Sequence, residues 1–373
     1  MKIAIDCRAL EKKNWAGKEK YLISIIQGLS RMDEKNDYFL YFRRKISFPF
    51  KLPANFFAAS INIPSPLWHF IALFDMILKR IDVVFCPCAY LLAAINFFIP
   101  SVIVIHDLTV FIPGISQTHK KSTKLKEKLF LRFAISRARV VVADSYNTKK
   151  DIEKFFNIPS EKISVIHLAA GKEFEPKKNK DLLEEKLLKY NIKFPYILFV
   201  GTLEPRKNIL GLLGAFKELA VQPETAGYKL VLAGKRGWYY EEIFKKIEGF
   251  GLKEKVVITD YIFDEDLPYL YTGAECFIYP SFYEGFGLPA LEALACGCPV
   301  ITSDISSLPE VVGESALLVN PQDKKEIVSA LNKILSDKEL RANLVSKGLK
   351  QAQNFSWDKS AKSLLEVFNG VRN

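Results

Sequence analysis

Twice along this chain, short unbroken apolar runs alternate with amphipathic stretches. SVIVIHD (101–107), RVVVAD (139–144) and ISVIH (163–167) have counterparts in PYILFVG (195–201), KLVLAG (229–234) and ECFIYP (275–280). An apolar run without polar alternation suits a strand covered on both faces. Such strands belong to parallel sheets flanked by helices. The fold expected is therefore α/β, with doubly wound parallel sheets of the Rossmann-like kind. Its 373 residues, 49% of them hydrophobic, are long for one core. Two domains facing a shared cleft are the natural arrangement.

The first domain is expected over residues 1–170. KIAID opens it, a helix follows over about 20–32, and YFLYF (38–42) and IDVVFC (81–86) add strands. Helical patterns occupy 124–137 and 145–156. Residues 171–194 change character: KEFEPKKNKDLLEEKLLKYNIKF is highly charged and reads as an interdomain connection. The second domain is expected over 195–356, with Asn208 capping the helix ILGLLGAFKELA and VVITDYI, PVITSD and SALLVN as further strands. A last helix over 357–373 is expected to pack back on the first domain.

Charge is distributed unevenly. Residues 1–170 hold 26 Lys and Arg against 14 Asp and Glu, and the remainder holds 27 against 28. The excess of +11 therefore belongs to the first half, which points that half toward an anionic partner. Nucleic acid, an anionic membrane surface and an acidic saccharide all fit. The six cysteines lie mostly in apolar surroundings, and neither C-x-C pair has the spacing of a zinc site. Reduced core thiols are expected. No uninterrupted apolar stretch reaches the 18 or more residues that a spanning helix needs. The chain reads as cytoplasmic and soluble, with peripheral attachment to the inner membrane face left open. LWHFIALFDMIL (67–78) and ISFPFKLPANFF (46–57) could add apolar contact there, or pack as core.

Three stretches can carry chemistry. In SFYEGFGLPALEALACGCPV (281–300), Pro289 suits the start of a helix and Gly297 the position after its end. The helix is expected from about Pro289 to Cys296, with Glu292 in its first turn. Gly285 and Gly287 allow close backbone approach, and a helix start favours an anion such as a diphosphate. Glu284 and Glu292 could accept hydrogen bonds from sugar hydroxyls, or merely be solvated and helix-favouring. In GTLEPRKN (201–208), Gly201 ends a strand and Arg206 and Lys207 precede a helix, well placed for phosphates. Gly234 ends a strand in the same way. In VIHDLTVF (104–111), His106 and Asp107 follow a strand at its carboxyl end. No G-x-G-x-x-G follows a strand, and neither a P-loop nor a G-x-S-x-G elbow occurs.

GTLEPRKN, LAGKRGW and PSFYEGFGLPALEALACGCPVITSDISSLPEVVG together resemble glycosyltransferase family 4, whose members are GT-B-type retaining enzymes using nucleotide-sugar donors. The resemblance extends to KIAIDCRAL, IHDL and the closing SW…A…LL…VF helix. It implies that Glu292 holds the ribose hydroxyls and Glu284 the donor sugar. Backbone groups around Gly285, Phe286, Gly287 and Leu288 would help seat sugar and phosphate, and Arg206 and Lys207 would neutralise the leaving diphosphate. His106 would stand at the reacting centre, Gly17 below the diphosphate, and the backbone near Tyr261 and Ile262 at the base. Two positions depart from the pattern: WAGKEKYL has Gly17 as its lone glycine, and Thr202 stands where many relatives carry arginine.

The first half and the PSFYEGFGLP form are most like mannosyltransferases of bacterial surface-polysaccharide synthesis. The resemblance implies hexose transfer to a lipid-linked or saccharide acceptor, with neither cofactor nor metal. DED at 264–266, the only D-x-D, reads as a helix cap. Nucleic acid is not expected as a partner. The alternatives are a basic nucleic-acid-binding protein, a nucleotide-sugar 2-epimerase or a pyridoxal-phosphate phosphorylase. The basic first half argues against the epimerase, and no suitable lysine context supports the phosphorylase.

Overall fold

The unbroken apolar runs form buried strands in two separate parallel sheets. The computed structural model describes residues 1–373 except 13, 14, 16, 45, 66, 115–120, 238 and 373, and does not describe the side chains of 121–127 and 372. Ala16 of WAGKEKYL and Trp238 of LAGKRGW thus lie outside the described residues. The chain divides into two compact units, Met1–Leu168 with Ser356–Asn373, and Ala169–Phe355.

In the first unit the elements run β1 (Lys2–Asp6), α1 (Gly17–Met32), β2 (Asp37–Phe42), β3 (Phe56–Ser60), α2 (Leu67–Leu78), β4 (Val83–Cys86) and α3 (Leu91–Ile95). They continue with β5 (Ser101–Ile105), α4 (Lys121–Arg137), β6 (Val140–Ala143), α5 (Tyr146–Phe156) and β7 (Ile163–Val165). The sheet order is β3-β2-β1-β4-β5-β6-β7, with every pairing parallel. Strand β3 is an edge strand inside the stretch ISFPFKLPANFF and its sequel. Its short FFAAS run carries no clear alternation and is not legible beforehand.

In the second unit the elements run α6 (Lys180–Leu188), β8 (Tyr196–Val200), α7 (Ile209–Leu219), β9 (Lys229–Ala233), α8 (Tyr240–Gly249), β10 (Val256–Asp260) and α9 (Leu267–Gly273). Then come β11 (Cys276–Tyr279), α10 (Leu288–Ala295), β12 (Val300–Ser303), α11 (Leu308–Val312), β13 (Ala316–Val319), α12 (Lys324–Ser336) and α13 (Lys338–Ala352). The sheet order is β10-β9-β8-β11-β12-β13, again all parallel. Both sheets are doubly wound, and the central strands such as β8 are buried along their whole length.

Residues 171–194 belong to the second unit. Helix α6 buries Leu183 and Leu187, and Lys186 and Lys189 reach Asp266 at 2.8 and 2.7 Å. Asp266 is therefore the anchor of two lysines and not a side-chain cap of α9. Asn208 likewise makes no cap through its side chain: it takes φ 55° and its Nδ2 donates to the Pro321 carbonyl at 2.6 Å.

The last helix, α14 (Trp357–Arg372), belongs to the first unit and packs along α1. Close approach is possible because α1 carries Gly28 at the crossing: a Cβ there would stand 2.7 Å from the Ala361 Cβ. Trp357 meets Tyr21 edge-on at 5.9 Å, and Ser360 Oγ donates to the His167 carbonyl at 2.6 Å. Alanine favours a helix by ~1 kcal/mol over glycine, yet Gly28→Ala is expected to lose ~1–2 kcal/mol through overpacking. Adding Ala361→Gly should recover part of the loss. Chemical denaturation of the two single variants and the double variant measures this coupling.

Candidate functional site

In both sheets the chain reverses its direction of winding beside the first strand of the sheet. Open parallel sheets bind ligands beyond the carboxyl ends of strands at such a reversal. In the second unit that point lies between β8 and β11. Gly201 follows β8, and its N–H donates to the Ala233 carbonyl at 2.8 Å. Gly234 follows β9 with φ 150°, and a Cβ at 234 would collide with the Gly201 carbonyl. The backbone here is too tightly apposed for any other residue.

The loop after Gly201 brings Arg206 and Lys207 to the loop after β11. Arg206 donates through Nη1 to Glu284 Oε2 at 2.7 Å and to the Tyr283 carbonyl at 3.0 Å. Lys207 Nζ donates to Glu284 Oε1 at 2.6 Å and also to the Tyr279 hydroxyl. One carboxylate thus joins both cations. Lys207 and Glu284 are buried. Burial by itself would raise the Glu284 pKa, but Arg206 and Lys207 override it and hold the group at about 2, against an ordinary 4.5. Burial, then the neighbouring Arg206, pushes Lys207 below its ordinary value, against the pull of Glu284.

The loop itself is pinned by hydroxyls. Ser306 Oγ donates to the Glu284 carbonyl at 2.5 Å and accepts from the Glu284 N–H at 2.9 Å. Ser307 Oγ lies 3.0 and 2.8 Å from the Glu284 and Phe286 carbonyls. Gly287 has φ 104°, which lets the chain turn into α10, and a Cβ there would stand 2.6 Å from Leu308 Cδ2. Helix α10 consequently starts at Leu288, one residue before the expected Pro289. Glu292 falls beyond the first turn and is not placed to complement the helix start. It is buried, and its Oε2 accepts from the Tyr271 hydroxyl at 3.0 Å.

Strand β10 stops at Asp260, where φ is 55°, so Tyr261 and Ile262 lie in the loop beyond it and not in the strand. Ile262 is buried, and Lys235 Nζ sits 4.5 Å from the Tyr261 ring centroid. Gly201, Arg206, Lys207, Gly234, Tyr261, Ile262, Glu284 to Leu288 and Glu292 therefore all belong to the second unit, on loops after strands β8, β9, β10 and β11 or on α10.

His106 and Gly17 belong to the first unit. Gly17 opens α1, three residues before the expected helix start, and is exposed. His106 directly follows β5, as Asp144 follows β6, and the register pairs Ile105 with Ala143. The two residues therefore align, with His106 Nδ1 at 2.7 Å from Asp144 Oδ2. His106 Nε2 lies 2.9 Å from the Pro87 carbonyl, and Tyr21 meets the imidazole edge-on at 4.9 Å. Asp144 Oδ1 and the Tyr21 hydroxyl are buried with no hydrogen-bond partner among the described residues. Asp107 instead accepts from the Thr109 N–H and hydroxyl, at 3.2 and 2.8 Å.

Sequence reasoning singled out Asp107 and missed Asp144. It also missed Tyr271, Tyr279, Ser306 and Ser307. The signal for Asp144 was present: RVVVAD places Asp144 one step past its apolar run, as SVIVIHD places His106. Among the described residues no group of three or more His, Cys, Asp or Glu could hold a metal ion.

Residues 15–169 match the family model described as Glycosyltransferase Family 4, and residues 179–351 that of Glycosyl transferases group 1. The O-antigen chain mannosyltransferase B of Escherichia coli is 35% identical over 279 residues, covering 73% of this chain and 72% of that protein. The chain belongs to glycosyltransferase family 4. A second relative, the serotype-specific mannosyltransferase WbdA of Escherichia coli, is 33% identical over 235 residues, 62% of this chain but only 29% of WbdA. Among solved structures, Alr3699/HepE of Anabaena in complex with UDP-glucose superposes with a TM-score of 0.79 at 19% identity, covering 99% of this chain and 100% of that one. This is the GT-B fold.

In this glycosyltransferase, Glu284 is the counter-ion of two cations, one of them buried. Replacing it by glutamine removes the charge and keeps the size. Glu284→Gln is expected to cost ~3 kcal/mol near neutral pH, because a buried cation loses its partner. A folded-state pKa below the unfolded one stabilises fully above the unfolded value. The parent's advantage should therefore persist above pH 4.5 and fade as pH falls toward 2. Denaturation of parent and variant across that range checks both the size and the sign.

Proposed function

We propose that this family 4 glycosyltransferase moves a hexose, mannose in preference, from a nucleoside-diphosphate sugar to a lipid-linked or saccharide acceptor in bacterial surface-glycan synthesis. The Arg206–Glu284–Lys207 network beside the glycine-bearing loop 284–288 carries the reading. The E. coli relatives, both named as mannosyltransferases and one of them for the O-antigen chain, support the sugar and the setting.

Departure of a nucleoside diphosphate develops negative charge. Fixed cations in a site poor in water stabilise that charge with little reorganisation during the reaction. Arg206 and Lys207 meet this requirement, since Glu284 holds both in place. Their paired charge also makes a dedicated metal ion unnecessary for leaving-group departure. Glu292, fixed by Tyr271, offers its carboxylate to the ribose hydroxyls. Glu284 borders the same loop, where the donor sugar would lie. His106, whose Nδ1 is held by Asp144, is the first unit's candidate catalytic residue. For retention we favour front-face substitution, in which the leaving phosphate accepts the acceptor hydroxyl's proton.

Nucleoside-diphosphate release from GDP-, UDP- and ADP-sugars, with detergent-extracted lipid-linked glycan as acceptor, tests the reading. Release with one donor, undiminished by EDTA, is expected, with the anomeric configuration retained in the product by NMR. Strict dependence on a divalent ion overturns the metal-free mechanism. Lys207→Ala should lower kcat ~100-fold or more, as loss of one transition-state donor does. Glu292→Ala should raise the donor KM ~10-fold or more through lost hydrogen bonds to the ribose. Parent-level turnover by both variants would refute the site assignment.

A further inference from the structure

Helix α2 has no polar face. Trp68, Ala72, Leu73 and Met76 are buried in the core against the first sheet. The opposite side presents Leu67, Phe70, Ile71, Phe74, Ile77 and Leu78, between 39% and 66% exposed. Their helical spacing makes one continuous stripe. On an ordinary surface helix that stripe is polar.

The stripe has neighbours of the same kind. The turn after α3 presents Phe97 and Phe98, which are 68% and 74% exposed. Helix α4 adds exposed Leu129, Phe130 and Phe133. Helix α3 touches both α2 and α4, and the three share one core cluster under the layer. Arg137 ties the turn to α4, its guanidinium 3.9 Å from the Phe97 ring centroid and 5.3 Å from that of Phe133.

Cations surround this apolar surface. Phe97, Phe98, Arg137, Arg139 and Lys162 line an open groove of ≈ 790 Å³, with Glu161 as its acidic lining residue. Among the described side chains of α4, Lys128, Arg132 and Arg137 are cationic and none is acidic. Asp75, the only acid on α2, is answered by Lys79 at 2.6 Å and by the Tyr41 hydroxyl at 2.8 Å.

We propose that the outward face of α2, the Phe97–Phe98 turn and α4 forms a docking surface for an anionic lipid bilayer. Helix α2 is about 18 Å long at 1.5 Å per residue, too short to cross a bilayer and suited to lying in its interface. No helix among the described residues is long and apolar enough to span one. The apolar side chains enter the acyl boundary, and the groove cations meet lipid phosphates. A second copy of the chain is the poorer occupant, because a two-fold contact would set this basic surface against itself. The proposal does not depend on the sugar chemistry.

The test is cosedimentation of the full chain with vesicles of phosphatidylcholine alone and of phosphatidylcholine with phosphatidylglycerol. Binding to the anionic vesicles that weakens with salt is expected. Phe70→Asp with Phe74→Asp should weaken it roughly a hundredfold, as two aromatic side chains lose their apolar burial. Arg132→Gln with Arg139→Gln should weaken it and flatten its salt dependence. Both pairs are exposed, so thermal unfolding and nucleotide-sugar binding should match the parent. Equal sedimentation of the phenylalanine variant and the parent overturns the proposal. So does absence of vesicle binding accompanied by a dimer, seen by sedimentation velocity, that the phenylalanine substitutions dissociate.

Discussion

The second unit's site depends on one carboxylate with two cationic partners. Glu284 pairs with both Arg206 and Lys207, and Glu204 pairs with Arg206 as well, where burial would otherwise penalise a charged lysine. Taking charges out of water costs several kcal/mol per ion, which only close, hydrogen-bonded pairing offsets. The pairing also joins two loops far apart in sequence, the one after β8 and the one after β11. Ser306 and Ser307 then fix the Glu284 loop from the segment that leads into α11. Displacing this carboxylate would therefore disturb cations, loop and the start of α10 together.

Topology supplies the framework for those contacts. In a parallel sheet every strand delivers its following loop to the same edge. The strand order then decides which loops are neighbours. Strands β8 and β11 are adjacent, so Arg206 and Glu284 meet; β5 and β6 are adjacent and in register, so His106 and Asp144 meet. Glycine is required where these loops approach most closely, at Gly234 against the Gly201 carbonyl. In each unit, reactive side chains stand one or a few residues past an apolar run.

The first unit resolves a conflict differently. A helix that is apolar on both sides gains core packing on one side and exposes a stripe to solvent on the other. Its neighbours in the same layer show the same exposure, interleaved with lysine and arginine side chains. Part of the positive charge of residues 1–170, at Arg137, Arg139 and Lys162, lines the groove beside this layer. Charge on the second unit is nearly balanced, in keeping with a site whose cations are internally paired.

By itself the sequence determined the α/β class, the parallel sheets, most strand positions and the motifs bearing Arg206, Lys207, Glu284, Glu292 and His106. These follow from local apolar periodicity and from residue types at strand ends, which a linear reading can see. Tertiary structure alone decided that Glu284 is shared between two cations, that Glu292 lies past the first turn against Tyr271, and that Asp144, not Asp107, partners His106. It also turned Asn208 and Asp266 from helix caps into tertiary anchors, and put α6 in the second unit. The physical reason is common to all of these. Partner choice depends on strand order, register and burial, which bring together residues tens of positions apart, and no local pattern encodes those distances.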